Sequence, residues 1–302
     1  MKILVIHYSQ TGQLTEILDN LTAPFDGTEH ELDHVRFSPD PNFDFPWSKS
    51  SFFEAMPDCV LSKGCTIAPF KVGHAKYDLV IFGYQPWFLS PSIPTHGILD
   101  DSTFQNAIKD TPVITVIGAR NMWINAHKEV SKRIKESGGE HIGNIPLIDR
   151  NSNLLSAVSI MHWMFKGTKN KKWGLFPKPG ISDKDIAEAG EFGVVIKNYV
   201  KNRDADLQQS ILSLEKINIH WTIVFIEKKA KRLFKIWANI IVKKGTTPLK
   251  RKRWLLVFRF YLIFALFVVS PIILTIYTLL IRPFVLKRER QEKRLILLID
   301  KI

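Results

Sequence analysis

The amino-terminal stretch Lys2 to Thr15, KILVIHYSQTGQLT, constrains the fold more than any other part of the chain. A short apolar run, Ile3-Leu4-Val5-Ile6, leads into Ser9-Gln10-Thr11-Gly12-Gln13, and a helical alternation of polar and apolar residues follows from Leu14 to Leu21. The order is strand, tight polar loop, helix N-terminus. First-turn N–H groups have no partner inside their own helix and the helix dipole is positive there, so such a loop binds phosphate. Hydroxyls of Ser9, Thr11 and Thr15 add donors, and Gly12 lets the backbone approach an anion closely. Neither GxxxxGK[ST] nor GxGxxG is present, which argues against a triphosphate loop and a dinucleotide fold. An ordinary strand-to-helix cap remains the alternative for these residues.

Further along, His30 to Phe37 alternates in hydrophobicity as a half-covered edge strand does. Residues 38–75, rich in Pro, Ser and aromatics, read as irregular packing over one face, with a short helix from Phe52 to Cys59. Tyr77 to Gly83 is apolar on both faces, as a central parallel strand should be. Its carboxyl end runs into a stiff loop, Tyr84 to Pro94, with three prolines and three aromatics. The pattern then predicts a helix within 98–109, a strand at Pro112 to Gly118, and a helix over 123–137 ended by Gly138-Gly139. A last strand is expected near Ile142 to Ile148, and a closing helix opens at Ser182-Asp183-Lys184-Asp185. Between them, Leu154 to Phe165 has helical spacing and reads as a roof over an apolar pocket, a membrane contact or simple core.

Five strands alternating with helices predict an α/β doubly wound parallel sheet, whose ligands sit beyond the carboxyl ends of the strands. The pattern S-x-T-G-x-x-T after the first strand resembles the phosphate loop of flavodoxins, which makes FMN the expected cofactor. Three loops at one sheet edge then form the expected flavin site: Ser9, Gln10, Thr11, Gly12, Gln13, Leu14 and Thr15 on the phosphate; Gln85, Pro86, Trp87 and Phe88 against the ring; Gly118, Arg120 and Asn121 at its other side. His96 and Tyr84 are the candidates for proton transfer, with His127 also near the predicted mouth. No metal site is expected. Cys59 and Cys65 read as incidental thiols in a reduced compartment.

The charge is unevenly distributed. Residues 1–204 are net −1, whereas residues 205–302 hold 20 Lys+Arg against 6 Asp+Glu, net +14. This concentrates the basicity in the last third and argues against a nucleic-acid partner. From Ile217 to Lys243 the pattern is a basic amphipathic helix suited to a bilayer surface. Lys250-Arg251-Lys252-Arg253 then abuts Trp254 to Ile281, of which the 22 residues from Phe260 carry no charge: a membrane segment. Arg282 to Arg294 carries 6 basic and 2 acidic residues, which opposes sending the tail across the membrane, and Pro271 sits mid-segment. A single span and a kinked re-entrant or in-plane hairpin returning to the cytoplasm are the two topologies the sequence allows. No signal peptide precedes the first strand, so a cytoplasmic membrane location with the domain facing the cytoplasm is expected.

KILVIHYSQTGQLTEI, GYQPWFLSPSIP, GARNMW and FPKPGISDKDI, followed by FALFVVSPIILTIYTLLIRPF, together resemble the dialkylresorcinol condensing enzymes of bacterial aryl-polyene and flexirubin-type pigment biosynthesis. The resemblance implies a ketosynthase partner that joins two acyl chains and a long-chain dialkylcyclohexanedione that this chain aromatises with FMN. A membrane-bound NAD(P)H:quinone oxidoreductase and a non-catalytic membrane scaffold for a ketosynthase are the alternatives. The expected organisation is a flavodoxin-like domain over 1–204, a basic surface region over 205–253, a membrane segment over 254–281 and a basic tail over 282–302.

Overall fold

A computed structural model describes residues 1–203 and 206–297, with Lys172 described by its backbone alone. The expected boundary at 204/205 and the end of the tail, 298–302, lie outside the described residues. Five parallel strands form one sheet: β1 (Lys2–His7), β2 (Glu31–Arg36), β3 (Leu79–Tyr84), β4 (Pro112–Ala119) and β5 (Glu140–Ile148). Their order is β2-β1-β3-β4-β5, the flavodoxin-like arrangement. Every residue of β3 is buried, as its central position requires, whereas β2 at the edge buries only Val35 fully.

Side chains alternate between two apolar layers. Ile3 and Val5 of β1 face α1 (Gln13–Thr22) and the later α8 (Ala189–Lys201), where Leu18, Leu21, Phe192 and Ile196 meet them. Leu4 and Ile6 face the other layer, which Phe104, Val130 and Ile134 fill. Gly193 is required where α8 crosses α1, because a Cβ there would lie 1.9 Å from the Leu21 carbonyl oxygen.

The helix expected within 98–109 is two helices, α3 (Ile93–Asp100) and α4 (Ser102–Ile108). Ser92 caps the first, and the Asp101 carboxylate accepts from the N–H groups of Thr103 and Phe104, which starts a new helix where one was predicted to continue. In the aromatic stretch, α2 (Lys49–Val60) is longer than expected and carries Pro57 inside it. The helix after β4 is α5 (Ile124–Glu136), and the expected roof is α6 (Asn153–Lys166). Ser182 opens α7 (Asp183–Ala187) just before α8, and a further short helix, α9 (Leu207–Ser213), was not anticipated.

The basic amphipathic helix is α10 (Trp221–Lys244), which packs on α2 and α5. A 50-residue helical path follows from Pro248 to Leu297: α11 (Pro248–Phe264), a π turn at Ala265–Val269, α12 (Ser270–Ile276), a second π turn at Tyr277–Ile281, and α13 (Arg282–Leu297). Its most apolar window has a mean hydropathy of 2.4, long and apolar enough to cross a membrane. The helical backbone expected to break at Pro271 continues through it. A proline in the first turn of α12, directly after a π turn, loses no intact i→i−4 ladder, so the helix passes through it. The axis turns later, because the Tyr277 hydroxyl donates to Glu289, and 12 residues on a straight helix would rise about 18 Å, beyond the reach of both side chains.

Candidate functional site

At the carboxyl ends of β1, β3 and β4 the three loops meet around a cleft of about 230 Å³. Gln10, Thr11 and Gln13 come from the first loop, Gln85 to Phe88 from the second, and Gly118 and Arg120 from the third. The first loop is built as a helix start. Gly12 sits at φ 85° with open space where a side chain would be, and the N–H groups of Leu14 and Gln13 reach the hydroxyls of Ser9 and Thr11 at 3.2 and 3.4 Å. These are long bonds that an anion's oxygens can replace.

Several side chains in the loop do work that the sequence did not reveal. Both ends of the Gln13 amide are bonded to the backbone of Ile181 at 3.1 Å, which ties the segment before α7 over the loop. Only its backbone is left for a ligand. Leu14 is buried in the core, so its expected ligand contact is likewise confined to the backbone. Thr15 bonds His7 at 2.9 Å, and Gln10 accepts from the Trp47 indole at 3.0 Å.

The second loop was expected to be stiff. It is a hairpin, Pro86–Trp87 against Ser90–Pro91, whose two turn residues, Phe88 and Leu89, both have positive φ, 47° and 64°. Positive φ at both central positions is the pattern of a type I′ turn, normally left to Asn and Gly. The strain aims Phe88 at Phe52, 4.8 Å away between ring centres, and toward Phe234 at 6.5 Å. Trp87 lies edge-on between Phe43 and Trp47, at 5.1 and 5.2 Å. Met161, Trp163 and Phe165 of α6 close the cleft from above, the roof among the three readings of that helix.

On the third loop, Arg120 donates to the Asn153 carbonyl at 2.9 Å. Desolvation lowers its pKa to about 10, against the opposing pull of Asp149. Asn121 lies away from this cleft; its amide donates to the Asn153 side chain at 3.1 Å and it lines a neighbouring cavity. A methyl on Gly118 would meet Leu14 and Ile181 at ordinary contact distance, so the close approach expected there points into protein.

The two proton-transfer candidates are elsewhere. His96 on α3 is fully buried, its ring nitrogens make no well-formed hydrogen bond among the described residues although the Cys59 backbone lies close, and Glu129 stands 3.9 Å away. Burial lowers its pKa despite that carboxylate. Tyr84 is the last residue of β3 and points into the α5-side layer, where burial and then the Glu227 charge push its phenol well above the ordinary value. His127 is buried in the same layer. None of the three lines the cleft, and the expectation for His96 and Tyr84 is corrected accordingly: each sits close in sequence to a loop, but its side chain faces the core. Among the described lining residues Arg120 is the one titratable side chain.

A larger cavity of about 390 Å³ lies beyond Asn121, between Asp149–Asn153 and Lys216–Val224. Its charged groups already hold one another: Asp149 accepts from Asn151 and Ser156, Arg150 pairs with Asp185 at 2.7 Å, and Lys216 with Glu188 at 2.6 Å. Each space has one lining residue with an unanswered buried polar atom among the described residues: Oδ1 of Asn121, an acceptor, at the larger cavity, and Nε2 of Gln85, a donor, at the cleft. A flat heterocycle with ring carbonyls supplies what that amide lacks, and aromatic walls supply its faces. The residues present therefore fit the expected flavin.

No family model matches the chain, and no curated protein does. Solved structures do. A flavoprotein in complex with FMN from Lactobacillus acidophilus NCFM is 17% identical over 48% of this chain and 92% of its own, with a TM-score of 0.39. A flavodoxin from the domain Archaea is 11% identical over 67% of this chain and 100% of its own, TM-score 0.36. Oxidised flavodoxin 1 from Bacillus cereus is 14% identical over 67% and 99%, TM-score 0.34. The likeness is one of fold.

Proposed function

We propose that the chain is a membrane-associated, FMN-dependent oxidoreductase that aromatises a long-chain 2,5-dialkylcyclohexane-1,3-dione made by a ketosynthase partner, at the cytoplasmic face of the membrane. The observation that carries the flavin part is the three-loop cleft, with the orphaned Gln85 amide inside it and aromatic walls on both sides. The first loop would hold the phosphate through its backbone and the hydroxyls of Ser9 and Thr11, and Gln85, Trp87 and Arg120 would hold the ring. Bound FMN supplies a hydride acceptor.

The chain's own residues do the rest. Aromatisation removes one hydride and one proton from the ring. A cyclic 1,3-dione is itself acidic and enters as its C2 enolate, with that proton passed to water and the Arg120 guanidinium paired with the enolate oxygen. The hydride then leaves C5, and water carries one hydrogen each from C4 and C6 to the two oxygens, which completes the resorcinol. Trp87, Trp163 and Phe165 keep water from the faces of the ring. The substrate's alkyl chains find an apolar continuation in the rings Phe52, Phe88, Phe234 and Phe258, which run from the cleft to α11 with Phe234–Phe258 at 5.5 Å.

The test is the visible spectrum of the detergent-purified chain, followed by anaerobic addition of the dione. Flavin that bleaches as the resorcinol forms is the expected result. Bleaching by NAD(P)H with reoxidation by quinone, and none by the dione, moves the assignment to a quinone oxidoreductase. A chain that takes up no FMN leaves a scaffold.

A further inference from the structure

The apolar segment 254–281 meets the domain at both ends. Near its start, Arg251 pairs with Glu54 of α2 at 2.6 Å. Near its end, Tyr277 accepts from the Trp221 indole at 2.7 Å and stacks on Phe225 at 4.0 Å. Beyond it, α13 returns: Glu292 pairs with Lys228, Asn218 meets Lys293 at 3.4 Å, and the Leu297 carbonyl accepts from Gln208 at 2.9 Å. Gln208 in turn accepts from the N–H of Asn144 in β5, so the tail is tied to the sheet itself. A helix that crossed a bilayer would carry α13 about 30 Å from the domain.

The two faces of this segment differ in what they touch. Leu255, Phe258, Ser270 and Tyr277 are buried, the first two against α10 and α2; the extra residue of the π turn at Ala265–Val269 keeps the second pair in line with the first. On the opposite face, Leu256, Phe260, Phe264, Phe267, Ile272 and Ile276 are 40–65% exposed. A helix packed on one side of a water-soluble domain carries charge on the other. Here the outward side is apolar, and cations mark its ends: Lys252 and Arg253 at one, Lys287 and Arg290 at the other, all exposed. Arg259 lies half-exposed beside the face, where it reaches headgroups if the helix lies flat.

We infer that 254–281 does not cross the membrane but lies in the plane of one leaflet, its outward face sunk among the acyl chains and its cationic ends on anionic headgroups, with the domain and α13 on the same side. The inference is independent of the reaction proposed above, and its failure would leave the flavin spectrum unchanged.

The experiment uses the full chain with Cys59→Ala and Cys65→Ser, carrying one cysteine at Phe260, Phe267 or Ile276 and labelled with a fluorophore. The labelled chains are added to phosphatidylcholine vesicles, with and without phosphatidylglycerol, that contain nitroxide lipids spin-labelled at shallow or deep positions. Equal, shallow quenching at all three positions, weakened when phosphatidylglycerol is left out, is expected. Deep quenching at Phe267 with shallow quenching at the other two would show a span and overturn the inference, as would no quenching at all. The unmodified chain in sealed vesicles gives a second readout: trypsin should reach Lys287 to Arg294 from the side on which it reaches the domain, and protection of the tail alone would also overturn it.

Discussion

The carboxylate of Glu227 on α10 accepts a hydrogen bond from the backbone N–H of Asn125 at 2.7 Å, and so caps α5, the helix that leaves the Gly118–Arg120 loop. The Asn125 side chain donates back to the Glu227 carbonyl at 3.2 Å. A residue of α10 thereby holds the start of an element next to the cleft, although 102 residues separate the pair in sequence.

That cap titrates near neutrality. Burial raises the Glu227 pKa to about 7, against the backbone N–H bonds from α5 and the charges of Lys231 and Lys128. With a folded value above the unfolded one, the native state binds more protons than the unfolded chain, so the contribution to stability is complete below about pH 4 and is lost as pH rises through about 7. Glu227→Gln keeps the acceptor and removes the charge. It should flatten the fall in stability over that window and gain up to about 3 kcal/mol above it, read from urea unfolding at several pH values. Glu227→Ala, which loses the cap, should cost about 1 kcal/mol at low pH.

The strained turn of the second loop gives a prediction of opposite sign. Leu89 holds φ 64° at the tip of the hairpin. Leu89→Gly should therefore raise stability by about 1 kcal/mol, seen as a higher Tm, because glycine adopts that conformation without the Cβ clash.

Two substitutions separate the cleft from the buried histidine. Gln85→Leu removes the unanswered donor and should weaken FMN about tenfold in a fluorescence titration, the scale of one lost hydrogen bond. His96→Asn, on a residue that does not line the cleft, should leave FMN affinity unchanged. A His96 variant that loses FMN while keeping its thermal stability would contradict the placement described here.

Packing between α1 and α8 supplies a stability test far from the cleft. Gly193→Ala drives a methyl onto the Leu21 carbonyl, and the helices must separate. A loss of about 1–3 kcal/mol, with unfolding still cooperative, is expected from chemical denaturation.

Much of this protein was legible along the chain because its signals are local. The apolar runs at Ile3–Ile6, Leu79–Phe82 and Val113–Ile117, bounded by turn residues, read as central parallel strands, and the loop after β1 announces a helix N-terminus through Ser9, Gly12 and Thr15. The order of strands and helices then determines which loops share an edge, and that order alone brings Thr11, Trp87 and Arg120 together. The sequence likewise determined that one segment near its end is too apolar for water. What it left open depends on where side chains point and where helices turn. His96 and Tyr84 follow the right strand but face the core, since rotation about a helix or strand is decided by what packs on each side. The aromatic wall joins Phe43, Trp47 and Phe52 to Trp87 and Phe165 across long separations that no local pattern encodes. The tail's return is of the same kind: hydropathy measures whether a helix can enter a bilayer, and only the contacts of Gln208, Trp221 and Lys228 with residues beyond Leu274 place both ends of that helix on one domain.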